Sequence, residues 1–276
     1  MRKKNKGLLA IVCGLMICLT SNIGTVNAAT ELTFDGWVQY GVPQGAVSET
    51  EFRDGKQTVT NYFSYDENGR IISKSTYVKT NERAYIKRDT YEYDERGNLL
   101  RETWYDGDGK VDYMYIYQYD ELGQITGEGI VLDDGSYAPQ YSYFYEGNKK
   151  MIWQNCYEKV IEVEEYDSEG KVISWQSTEE YPRKTEYEYD EKGRIVKLTY
   201  METWDVDYDF KRIYEYTYDQ YDNIAVVNKY ASLKAGGPIF FANTCNYVRN
   251  YDEYGRLTQI GTIGFTGTFT GYTYTY

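Results

Sequence analysis

Tyr187-Glu188-Tyr189-Asp190-Glu191-Lys192-Gly193-Arg194-Ile195 holds one complete turn and the ends of the two strands that meet in it. Before the turn, Tyr187 and Tyr189 alternate with Glu186 and Glu188, the period-two pattern of a strand with two unlike faces. In the turn, Asp190 can accept a hydrogen bond from the backbone two residues on. The next two residues bend in the right-handed region, and Gly193 takes the left-handed position that closes a bulged hairpin. Strand, turn and returning strand are therefore written into nine residues.

The same pattern, Tyr-Asp-x-x-Gly, starts at Tyr65, Tyr93, Tyr105, Tyr119, Tyr166, Tyr189 and Tyr251. Its paired devices are Asp66 with Gly69, Asp94 with Gly97, Asp120 with Gly123, Asp167 with Gly170, Asp190 with Gly193, and Asp252 with Gly255. Two degenerate copies join them: Tyr145-Glu146-Gly147-Asn148, and Tyr218 to Asp222, where Asp222 stands in place of glycine. A non-glycine residue there costs on the order of 1 kcal/mol, so a slightly distorted turn is expected. Leaving Tyr105 aside, the copies are 28, 26, 26, 21, 23, 29 and 33 residues apart, room for two strands and two turns. Tyr105 falls midway and marks a return turn on the opposite edge, like Asp133 to Ser136 and Tyr181 to Lys184. One hairpin cannot bury enough to stand alone, so neighbours must stack. The expected fold is all-β, an antiparallel meander of hairpins forming a long, curled sheet or partly closed barrel.

The chain divides into three parts. Residues 1–28 read as a secretory signal, with Arg2, Lys3, Lys4 and Lys6, an apolar run from Leu8 to Leu19, and a small-residue cleavage site ending at Ala28. The run is too short for a transmembrane anchor. No small residue precedes Cys13 or Cys18 for lipid attachment. Residues 29–60 form a cap and a first hairpin turning at Asp54-Gly55-Lys56, and residues 61–276 form the repeat array. The least regular stretch, Ala231 to Ala242, reads as a loop tucked onto the sheet, with a binding loop as the alternative. The last residues, Tyr272 to Tyr276, read as an unpartnered edge strand open to self-association.

The formal charge is −13, and the leader carries four basic and no acidic residues, so the processed chain reaches −17. Such a balance disfavours nucleic acid and anionic polysaccharide. Histidine is absent, which excludes Ser-His-Asp and Cys-His catalysis and leaves carboxylate chemistry, of which glycoside hydrolysis is the leading form. No cofactor or metal motif occurs. Asp205, Asp207 and Asp209, and separately Asp106, Asp108 and Asp112, gather carboxylates that calcium could use, but neither follows the EF-hand spacing, and a solvated loop is the default reading at both. An oxidising destination permits a bridge between Cys156 and Cys245, with two separately buried thiols as the alternative.

Tyr91 to Leu99, Tyr187 to Ile195 and Tyr251 to Leu257 resemble the YD repeat of the RHS (rearrangement hot spot) family, and the resemblance runs from about residue 60 to about 260. It implies spiralling β-sheets and a role in binding carbohydrate or cell surfaces. The chain is short for that family and carries no effector after Tyr276, so enclosure of a toxin is not implied. Sugars stack on flat rings, which makes Trp104, Trp153, Trp175, Trp204, Tyr113 and Tyr115 the candidate ligand-binding residues. The expectation is a secreted or cell-surface, non-catalytic module that binds a glycan or surface polymer, with a structural spacer and a glycosidase as alternatives.

Overall fold

The computed structural model describes residues 30–32, 38–40 and 42–276, except 80–83, 179–180, 206–207, 233–236 and 264–266, and the side chains at 30–32, 38–40, 79, 204–205 and 208–209 are also outside the description. The expected signal, residues 1–28, lies outside the described residues. Strands β1 (Thr30–Leu32) and β2 (Val38–Tyr40) form a separate two-stranded ladder.

All other strands form one antiparallel meander that closes on itself. One side of the ring runs β3 (Ser48–Arg53), β4 (Lys56–Tyr65), β5 (Ile71–Lys79), β6 (Ala84–Tyr93), β7 (Leu99–Tyr105), β8 (Val111–Tyr119), β9 (Ile125–Val131), β10 (Tyr137–Glu146), β11 (Lys149–Gln154) and β12 (Lys159–Tyr166). It continues through β13 (Val172–Ser177), β14 (Arg183–Tyr189), β15 (Ile195–Asp205), β16 (Tyr208–Tyr218), β17 (Ile224–Ser232), β18 (Phe240–Asn246), β19 (Val248–Tyr251), β20 (Leu257–Ile263) and β21 (Phe269–Thr275). β18 pairs with β17, β19 with β20, and the Tyr247 N–H between them bonds the Ala225 carbonyl, so the two are halves of one stave.

Each Tyr-Asp-x-x-Gly turn repeats one set of bonds. Asp190 Oδ1 accepts from the N–H groups of Lys192 at 3.0 Å and Arg194 at 2.8 Å, the Gly193 N–H bonds the Asp190 carbonyl, and Gly193 sits at φ 80°. The Tyr105 copy makes the same bonds at the opposite end of the strands. The distortion expected at Asp222 is absent: the residue takes φ 60°, and Asp219 Oδ1 receives Tyr221 and Asn223 at 2.9 and 3.0 Å. The carboxylate bonds hold the turn in shape regardless of the residue at its left-handed position.

The repeat tyrosine does more than pack. The hydroxyls of Tyr93, Tyr119, Tyr145, Tyr189 and Tyr218 donate to the carbonyls of Ile71, Leu99, Ile125, Val172 and Ile195, at 2.6–3.0 Å. Every acceptor lies two residues after a turn glycine, or one repeat back. The bond latches these hairpins to their predecessors, whereas the Tyr166 and Tyr251 hydroxyls donate to the carboxylates of Glu164 and Asp219 instead. Burial pushes the Tyr189 and Tyr218 phenols up to about 12, so they stay protonated donors. Tyr93→Phe should cost about 1 kcal/mol in urea unfolding, the net worth of one such bond. Tyr62→Phe, 55% exposed, should change stability by less than about 0.5 kcal/mol.

Two expectations are corrected at the ends of the array. β21 is not an open edge, because it pairs with β20 on one side and β3 on the other; Gly271 lies opposite Phe52 and Thr275 opposite Ser48. Closure removes the edge that self-association needed. The stretch from Ala231 to Ala242 is not wholly a tucked loop: it ends β17 at Ser232 and begins β18 at Phe240, and Ile239, Phe240 and Phe241 stand 47–57% exposed.

Cross-strand partners share a face, which makes the sidedness traceable around the ring. The largest fully buried side chains, among them Ile152, Trp175, Leu198, Tyr214, Val227 and Ile260, fall on one face, which is the enclosed one. The outer face carries ion pairs such as Glu92 with Arg101, Lys184 with Glu186, and Glu188 with Lys197.

Candidate functional site

Pairing of β7 with β8 sets Trp104 opposite Tyr113 and Glu102 opposite Tyr115, all on the inner face. The Trp104 ring lies 6.3 Å from Tyr113, edge-on, and 5.8 Å from Tyr115, tilted. Trp104 is half-buried and Tyr113 is 39% exposed, so the platform keeps an open ring surface. Glu102 fixes it: Oε1 accepts from the indole Nε1 at 2.5 Å, and Oε2 accepts from the Tyr117 hydroxyl at 3.4 Å. Burial pushes the Glu102 carboxyl up, against the opposing pull of the indole N–H.

The register extends this polar surface along neighbouring staves. Asp89 faces Trp104 from β6, with Lys74 of β5 at 3.7 Å. Glu128 of β9 stands opposite Tyr117. On β12, Glu162 holds the Trp175 indole at 2.9 Å and Glu164 holds Lys150 at 3.1 Å. Burial raises the carboxyls of Asp89, Glu128 and Glu162. Period-two acids were visible in the sequence, but only closure shows which of them are enclosed.

Of the six ring residues singled out in the sequence, the fold brings together Trp104, Tyr113 and Tyr115. Trp153 faces outward on β11, opposite Ser142. Trp175 is corrected from ligand-binding to core: it is 2% exposed, with both its indole N–H and its ring faces occupied by the protein. The Trp204 side chain lies outside the described residues. The turn residues Asp66, Asp94, Asp120, Asp167, Asp190 and Asp252 all serve as backbone acceptors. Of the two alternatives for Cys156 and Cys245, the bridge is absent and both are free thiols, though not both buried: Cys156 is exposed in the β11–β12 connection, whereas Cys245 packs against the β15–β17 cluster. Among the described residues no cluster of metal-ligating side chains occurs; the side chains of Asp205 and Asp209, and Asp207 as a whole, lie outside them.

No family model matches the sequence, and no curated protein matches it. Among solved structures, the chain is similar to the TcdB2-TccC3 complex with Cdc42, at 14% identity over 75% of this chain and 14% of that one, with a TM-score of 0.31. It is also similar to a porin-like protein from Bacteroides vulgatus, at 10% identity over 84% of this chain and 98% of that one, TM-score 0.37. A second porin-like protein, from Bacteroides uniformis, gives 12% identity over 74% and 96%, TM-score 0.38. These scores are too low to carry function from any of the three to this chain.

Proposed function

We propose that the protein is an exported, non-catalytic β-barrel that binds a carbohydrate or cell-surface polymer on the inner-face platform of Trp104, Tyr113 and Tyr115. The observation that carries this reading is the platform itself: three rings grouped on one surface, partly open, and braced by a carboxylate that can also accept sugar hydroxyls. The YD-repeat resemblance supports it.

The barrel works in water rather than across a bilayer. A lipid-facing barrel needs an apolar outer band about 25 Å tall, and a lysine or arginine at its midplane costs about 2–4 kcal/mol. This outer face instead carries Glu92, Arg101, Lys184, Glu186, Glu188 and Lys197 on its strands.

A glycan array with the intact protein tests the proposal. Binding should be lost in Trp104→Ala and kept in Trp153→Ala, which alters the opposite face. Absence of binding to every glycan rejects it. Desolvated inner carboxyls such as Asp89 and Glu102 favour a glycosidase as the second reading, and release of reducing sugar by the wild type would establish that instead.

A further inference from the structure

Arg70, Arg194 and Arg256 each follow a turn glycine, and each Nε donates to its own turn aspartate, at 2.6 Å for Asp66 and 2.7 Å for Asp190 and Asp252. In two of the three, the far end of the guanidinium continues to the next turn round the ring. Arg70 Nη1 reaches the Asp94 carbonyl at 3.2 Å, and Arg194 Nη1 reaches Asp222 Oδ1 at 2.5 Å. The turn that follows Arg256 is different.

Because β21 closes on β3, the next position round the ring is occupied by Pro43-Gln44-Gly45-Ala46. The Tyr65 hydroxyl bonds the Ala46 carbonyl at 2.5 Å as Tyr93 bonds Ile71, and the Gln44 amide lies 3.7 Å from where Gly69 would carry a Cβ. This segment thus takes a turn's place in the series, yet it contains no aspartate. Among the described residues, the Nη nitrogens of Arg256 have no acceptor. A cavity of about 230 Å³ opens beside them, with Gln44, Tyr221, Asp222, Tyr254, Arg256 and Tyr276 in its wall; the Asp222 carboxylate is already paired with Arg194 and Lys192. The guanidinium lies 4.4 Å from the Tyr276 ring centre and 5.1 Å from that of Tyr254, which fixes its plane.

We propose that this cavity binds a sugar acid, whose carboxylate meets the far end of the Arg256 guanidinium as Asp222 meets that of Arg194, and whose ring lies against Tyr221 and Tyr254. A planar guanidinium, held by two rings and one aspartate, is suited to a carboxylate through parallel N–H bonds. The two tyrosines, 42% and 75% exposed, supply ring surface. Overall negative charge confines recognition to this local cation and favours a short ligand over a long polyanion. The site is separate from the Trp104 platform.

Calorimetric titration of the intact protein with glucuronate and with glucose tests the proposal. Glucuronate should bind at least about tenfold more tightly than glucose, and Arg256→Gln should weaken it by about tenfold or more. Gln44→Asp, an exposed change that places a carboxylate on the seam turn itself, should block glucuronate while leaving the melting temperature intact. Trp104→Ala should leave glucuronate binding unchanged, which separates this site from the platform. Equal binding of glucose and glucuronate, undiminished binding in either Arg256→Gln or Gln44→Asp, or no glucuronate binding by the wild type would each overturn it.

Discussion

Gly271→Ala should destabilise the barrel by about 3 kcal/mol or more, the largest effect expected of any single methyl group in this chain. Gly261 and Gly271 face each other across β20 and β21. A Cβ on Gly271 would lie 2.1 Å from the Ile260 carbonyl oxygen and 2.5 Å from the Gly261 Cα, so backbone and not a flexible side chain must move. Its φ of 156° adds strain for any L side chain. The Phe269 ring already covers the pair, as an aromatic residue does over glycines within a sheet. Gly261→Ala meets the Thr270 carbonyl at 2.2 Å and should behave alike. Urea unfolding measures both, and a wild-type midpoint in either would mean that the strands can separate at that point without loss.

Stability should peak near pH 4 to 5 and decline toward neutrality, because two sets of carboxyls pull in opposite directions. Glu49, 8% exposed on β3, is pushed up to about 6 by burial, partly offset by Lys74 and by a hydrogen bond with Asn61. Its folded form holds a proton more tightly than the unfolded chain, so stability is lost as pH rises from about 4.5 through 6. The amount is about 2 kcal/mol. Asp89, Glu102, Glu128 and Glu162 are raised in the same sense by burial. The turn aspartates oppose them. At Asp66, Asp190 and Asp252 burial is outweighed by hydrogen bonds from the arginine after the glycine, and at Asp106 and Asp167 the backbone bond from the following lysine leads the lowering. Their contribution is present above the ordinary aspartate value and disappears as pH falls through the depressed one. Glu49→Gln should flatten the decline above pH 4.5, gaining about 2 kcal/mol on the wild type by pH 7. Identical thermal profiles for the two proteins would contradict this assignment.

The local chemistry of the fold was legible in the sequence. An aspartate that caps its own turn and a glycine at positive φ act within five residues, so Asp190 and Gly193 could be assigned without any knowledge of the rest. The latches were not legible, since the partner of Tyr93 is a carbonyl 22 residues back whose position depends on register. A compositional signal did exist: 34 tyrosines against nine phenylalanines says that hydroxyls, and not rings alone, are in use. Closure was hidden for a related reason. β21 looks like any unpaired terminal strand until the accumulated curvature of the whole sheet brings β3 beside it. With closure unknown, the inner face was unknown too, and Trp104 could not be told from the outward-facing Trp153.

Ser48 and Thr275, whose hydroxyls meet at 2.8 Å across the seam, are separated by 227 residues. Such a contact has nearly the highest loop-closure cost the chain can present, and local hairpins will form long before it. During synthesis or export, β3, already paired with β4, must therefore wait with the hydrogen-bonding groups of its other edge unsatisfied until β21 emerges. The nascent chain is thus most vulnerable to pairing with a stranger late in its maturation, and refolding should finish with a slow step that dilution does not hasten.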